Sequence, residues 1–140
     1  MEIKKKQKNK IKEIAQEFNL KLVLLFGSQV TGKTNFSSDF DIAYLPKQNL
    51  NGKTKIDLNC RFMDVFNTDK IDLVNLNQTS LLLKYEISRN SQLLYGDEIS
   101  YLNFKASAFK LYIEAKPLFE MRDNLLKKRH KFLQESLYNE

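Results

Sequence analysis

Residues 22–45, LVLLFGSQVTGKTNFSSDFDIAYL, constrain the fold more than any other stretch of the chain. Two apolar runs, KLVLLF at 21–26 and DFDIAYL at 39–45, flank a polar connector. The first is short, continuous and rich in β-compatible residues, the pattern of a strand buried on both faces. The second reads as another strand, stopped by Pro46. Residues 29–36 between them are polar, contain Gly32, and read as a turn or short helix.

The connector supports two chemistries. G-S-Q-V-T-G-K-T fits the P-loop pattern, in which backbone amides at a helix start cradle phosphate. That pattern needs Lys33 and Thr34 to open a helix, yet only four residues separate Thr34 from Asp39. A Walker-B strand would also end in its aspartate, whereas KIDLVNL places Asp72 near the strand's beginning. The spacing argues against a P-loop.

The other reading begins at Asp39-Phe40-Asp41. Side chains alternate along a strand, so Asp39 and Asp41 project to one face. Two such carboxylates repel unless a cation lies between them. Oxygen ligands suit Mg²⁺, which combines a few carboxylates with substrate phosphates. Asp72 on a neighbouring strand would complete a site for two ions about 3.5–4 Å apart, fit for in-line displacement at phosphorus. Gly27 and Ser28, just after the first strand, would let backbone amides and a hydroxyl approach a triphosphate.

The remaining elements follow from periodicity. Ile3, Ile11, Ile14, Ala15 and Phe18 recur at helical spacing among lysines and glutamates, ending at Asn19. TKIDLNCRFMDVFN predicts a helix capped at or near Thr54, and KIDLVNLN a third strand. TSLLLKYEISRNSQLLYGDE reads as a helix ending near Gly96. From about Ile99 a helical pattern runs to the end, with Pro117 as a kink or break. The expected order is α-β-β-α-β-α-α: a small α/β (α+β) domain over 1–140, with a mixed-sheet core at about 20–96 and a helical segment at about 99–140.

Composition narrows the function classes. With 42% apolar residues and 11% aromatics, 140 residues can build one sizeable core. Cys60 is the single cysteine, which excludes an internal disulfide framework and a cysteine-rich zinc site. His130 is the single histidine and lies in a basic run that reads as surface. No run approaches the roughly 18 apolar residues of a membrane span, and the charged start lacks the apolar segment of a signal peptide. A cytoplasmic protein with no membrane partner is the simplest expectation. The net charge of +6 is concentrated at the ends: residues 1–12 carry +5 and residues 120–131 carry +3, so the rest carries −2. Such ends read as solvated helices, or as contacts for nucleic acid or an acidic protein face.

GSQVTGKTNFSSDFD, a Gly-Ser pair and ten residues before Asp-x-Asp, resembles the signature of the polymerase-β-like nucleotidyltransferase superfamily. With the short chain and FGS…SDFDIAYL…KIDLVNLN, the sequence looks most like the minimal nucleotidyltransferases, the MNT proteins, over roughly residues 20–96. The resemblance implies that Asp39 and Asp41 bind magnesium, and that Asp72 shares a metal and favours removal of the acceptor hydroxyl's proton. Many family members carry arginine after Gly-Ser; Gln29 stands there, so Lys33 is the nearest base for the triphosphate. MNT proteins are commonly antitoxins that transfer AMP from ATP to a tyrosine of a HEPN-domain ribonuclease toxin. The resemblance therefore implies ATP as substrate, two Mg²⁺ ions and a HEPN toxin as partner in a hetero-oligomer. A non-catalytic antitoxin acting by docking, or transfer to RNA 3′ ends, are the alternatives. The toxins' own Arg-x₄₋₆-His motif is missing, since seven residues separate Arg122 from His130.

Overall fold

The run at 20–26 becomes the strand around which everything else assembles. The computed structural model of the chain describes residues 2–32 and 39–138. Along them lie α1 (Lys5–Glu17), β1 (Leu20–Phe26), α2 (Ser28–Thr31), β2 (Phe40–Pro46) and α3 (Gly52–Phe66). Then follow β3 (Ile71–Asn75), α4 (Leu81–Arg89), β4 (Ser91–Tyr95) and α5 (Glu98–Tyr138). The four strands form one sheet in the order β3-β2-β1-β4. β1 is antiparallel to both neighbours, and β2 and β3 run parallel, joined through α3. The expected mixed sheet flanked by helices is thus what the chain forms.

Helices cover both faces of the sheet, which is why β1 is apolar without alternation. On one face Ile11, Ile14 and Ala15 of α1 and Leu58, Phe62 and Phe66 of α3 close over Val23, Leu25, Ile42 and Tyr44. On the other, Ile87 of α4 and Tyr101 of α5 close over Leu22, Leu24 and Ala43. Asn67 ends α3 in the left-handed conformation that Asn tolerates.

Three expectations need correction. The stretch read as one helix ending near Gly96 is α4 followed by a fourth strand, β4. Asn90 interrupts the helix, and the chain turns to add Ser91–Tyr95 to the edge of β1. The cap of α3 is Asn51, whose side chain accepts from the Thr54 amide and hydroxyl at 2.8 Å each. α5 continues as one helix through Pro117, so the break expected there does not occur. Proline denies one hydrogen bond to the carbonyl four residues earlier, on Ile113. Ile113 is exposed, so water can take that place and the helix need not stop.

No helix among the described residues is long and apolar enough to cross a membrane.

Candidate active site at the carboxylate end of the sheet

The strand register brings the predicted residues together. Asp41 on β2 lies opposite Asp72 on the parallel strand β3 and opposite Phe26 on the antiparallel strand β1. Partners in register share a face, so Asp41 and Asp72 point to the same side, the side covered by α4 and α5. Asp39 immediately precedes β2 and is exposed, two positions before Asp41. Phe40 between them turns the other way and stacks on Phe66 of α3 at 4.8 Å. Its amide donates to the Lys70 carbonyl at 2.9 Å, fastening the start of β2 to the residue before β3. One aromatic anchor on the core side thus fixes where both flanking carboxylates point.

The charges of this edge act on one another. Asp41 is half-buried, and its carboxyl is held above its ordinary pKa, first by burial and then by the Asp72 and Asp39 carboxylates. That cross-influence places all three in one electrostatic neighbourhood. As they stand, no three carboxylate, imidazole or thiolate groups among the described residues close around a single point. Mutually repelling carboxylates stay apart, and a dication relieves the repulsion that Asp41 registers. The donor set is all-oxygen and anionic, so it fits Mg²⁺ in type.

Gly27 closes the site from the β1 side. It leaves β1 at φ 76° and caps α2, its carbonyl accepting from the Val30 and Thr31 amides at 3.1 and 3.2 Å. A Cβ here would land on Asp41 Oδ2, with Asp41 Cγ only 3.0 Å away. Only glycine lets the backbone pass so close to that carboxylate. Ser28, half-buried, opens α2 beside it. Lys33 lies outside the described residues. The P-loop alternative fails on topology as well as spacing: β1 and β2 are antiparallel neighbours, whereas the phosphate-binding strand of a P-loop sits in a parallel sheet.

These features (a Gly-Ser turn leaving one strand, Asp-x-Asp on the next, a third aspartate in register) match a known fold, and residues 9–100 fit the family described as polymerase beta nucleotidyltransferase. The chain belongs to the polymerase beta nucleotidyltransferase family. A relative, protein adenylyltransferase MntA of Aphanizomenon flos-aquae (strain 2012/KM1/D3), is 38% identical over 91 residues. That match covers 56% of this chain and 61% of the relative, so the chain spans about three-fifths of the protein it resembles. Among solved structures, a chain of a toxin–antitoxin complex with AMP-PNP superposes with a TM-score of 0.72 at 24% identity, covering 85% of this chain and 98% of that one. A chain from a complex of a tri-AMPylated Shewanella oneidensis HEPN toxin with an MNT antitoxin gives 0.67 at 23%, covering 86% and 96%. At these identities the superpositions establish the nucleotidyltransferase fold.

Sequence reasoning missed the β4 side of this site. Ser91 lies opposite Phe26, across β1 from Asp41. Its hydroxyl lies 2.6 Å from the Tyr101 hydroxyl, which also donates to the Ser91 carbonyl at 3.1 Å. Lys105 stands one turn further along α5, its ammonium 4.5 Å from the centre of the Tyr101 ring. Once β4 is read as helix, nothing in the sequence can align Ser91 with Phe26.

Proposed function

We propose that this chain is a magnesium-dependent protein adenylyltransferase, an antitoxin that moves AMP from ATP to a tyrosine hydroxyl of a HEPN-domain ribonuclease toxin. The observation that carries the reading is Asp41, pinned between Gly27 and Asp72, its carboxyl raised in pKa by burial and then by the neighbouring carboxylates. The MntA relative supports the reaction, and the toxin–antitoxin complexes that share the fold support the partner. The protein works as one domain, residues 20–96 carrying the chemistry and 99–140 a helical extension, in the cytoplasm where ATP is available.

Asp39 and Asp41 would hold the magnesium, with Asp72 sharing a metal. When bound, the two ions supply positive charge at the attacking and leaving oxygens. Asp72 takes the proton of the tyrosine hydroxyl as its oxygen bonds to the α-phosphorus. The bond to the bridging oxygen breaks, and pyrophosphate leaves. The Gly27 backbone and Ser28 hydroxyl receive the triphosphate, with Lys33, the nearest base in the sequence, as its proposed cation. The new phosphodiester adds negative charge and bulk to the toxin, which opposes RNA by the same electrostatics a phosphoryl group uses.

The test is transfer of label from α-phosphate-tagged ATP, with Mg²⁺, to the protein encoded beside this one. Label on a tyrosine of that protein, abolished by chelation and by Asp39→Asn with Asp41→Asn, is the expected result. Silencing of the neighbour by the double variant without any label would instead make this a docking module.

A further inference from the structure

At the far end of β1 from the carboxylates lies a cavity of about 840 Å³. Its wall takes Lys8, Asn9 and Lys12 from α1, Lys21 from β1, Lys47 from just after β2, and Tyr95 from β4. Six residue steps along β1, from Leu20 to Phe26, separate the two ends, about 20 Å at the strand rise, so an occupant here is not the occupant of the carboxylate edge. Among the described residues, none of the four lysines pairs with a carboxylate within 4.0 Å. Asp97 also faces the cavity; its carboxylate accepts from the Ser100 amide at 3.1 Å as the cap of α5, and it is held below its ordinary pKa first by the Ser100 bonds and in smaller part by Lys21. Four lysines from three parts of the chain therefore line one concavity with a single acid among them.

Convergent like charge in a concave, partly apolar site focuses positive potential and is relieved by a polyanion. An acidic protein face is the poorer match. Protein interfaces are depleted in lysine and enriched in arginine, and this cavity holds four lysines and no arginine. Lysine serves instead as a point charge for phosphate. A half-buried tyrosine beside a basic groove is the pairing used to bind single-stranded nucleic acid, the ring for a base and the cations for the backbone.

We propose that the cavity between α1, Lys21, Lys47 and Tyr95 binds single-stranded nucleic acid, with the four lysines on phosphates and Tyr95 against a base. This site stands independently of the adenylyltransferase reading. Binding is set by charge, without sequence preference, in the range of about 10⁻⁴–10⁻⁶ M at physiological salt.

The experiment is fluorescence anisotropy of a 5′-fluorescein ten-nucleotide oligouridylate with the full chain. One variant combines Lys8→Ala, Lys12→Ala, Lys21→Ala and Lys47→Ala, all at exposed positions. A charge-matched control combines Lys110→Ala, Lys116→Ala, Lys127→Ala and Lys131→Ala on α5, also exposed. The cavity variant is expected to weaken binding at least tenfold and to flatten the salt slope by about 3, at 0.7 per phosphate contact; the control is expected to stay within twofold. Equal losses in the two lysine variants would mean general charge and overturn the site. So would preferential, cavity-dependent binding of inorganic tripolyphosphate, which points to a free nucleotide. Cavity-dependent capture of polyglutamate without capture of the oligonucleotide would overturn it in favour of an acidic protein.

Discussion

Gly27 and Gly96 stand at opposite ends of the sheet, and each leaves a strand at positive φ, 76° and 123°. What crowds them differs. A Cβ on Gly27 would meet the Asp41 carboxylate, a side chain. A Cβ on Gly96 would meet the Lys21 carbonyl at 2.8 Å and Leu22 Cδ2 at 2.5 Å, so backbone as well as side chain. The first glycine makes room for a charged group that the fold could do without. The second lets β4 turn into α5 without forcing β1 aside. One end of the sheet crowds a carboxylate of the proposed site, and the other uses the same residue type to close the fold.

Substitution separates the two roles. Gly27→Ala pushes the Asp41 carboxylate out of register with Asp72, and AMP transfer should fall more than 100-fold in the labelling assay. The fold should lose only the about 1–3 kcal/mol of a strained backbone, read from urea unfolding. Gly96→Ala should invert the pattern. A stability loss of about 2–4 kcal/mol is expected, because backbone atoms cannot step aside, while transfer per folded molecule survives. Comparable activity losses in both variants would dissolve the distinction. Next in size is Tyr101→Phe, which removes the hydroxyl bonded to Ser91 and should cost about 1 kcal/mol in the same unfolding measurement.

The smallest effect has the opposite sign. Asp41 binds its proton more tightly folded than unfolded, so folding is favoured at pH below its ordinary value and this share of stability declines as pH rises through the raised folded value. Asp72→Asn removes one of the causes. It should therefore stabilise the metal-free protein at pH 7, by less than about 1 kcal/mol given solvent screening. Near pH 3, where Asp41 is protonated in both states, the gain should disappear. A destabilised variant at pH 7 would mean that Asp72 holds the strand edge together rather than straining it.

Much of this was legible in the sequence, and the exceptions share a cause. Local signals carried β1, β2, α3 and β3: apolar run length, a proline stop, helical spacing of Leu58, Phe62 and Phe66. Asp39 and Asp41 were readable as a pair because strand alternation is a two-residue rule. β4 was not, since Leu93 and Leu94 fit a continuing helix as well as a strand and no glycine or proline precedes Ser91. Its identity is decided by pairing with β1, some 65 residues earlier in the chain. The lysine cavity was hidden for the same reason. The sequence shows a basic start that reads as a solvated helix, and only the fold brings Lys8 and Lys12 beside Lys21 and Lys47.

α5 has a physical consequence of another kind. Its 41 residues make a rod of about 60 Å at 1.5 Å per residue, and beyond Ala108 none of its described residues is buried. A folded body of about 100 residues has a radius of gyration near 13 Å, so the rod outreaches the body it grows from. Rotational diffusion is then anisotropic. Amide vectors in α5 lie along the long axis and sense mainly its slow end-over-end tumbling, whereas those across the sheet also feel the faster spin about that axis. Nitrogen relaxation rates should divide the protein into these two populations, and sedimentation should be slower than for a sphere of 16.5 kDa.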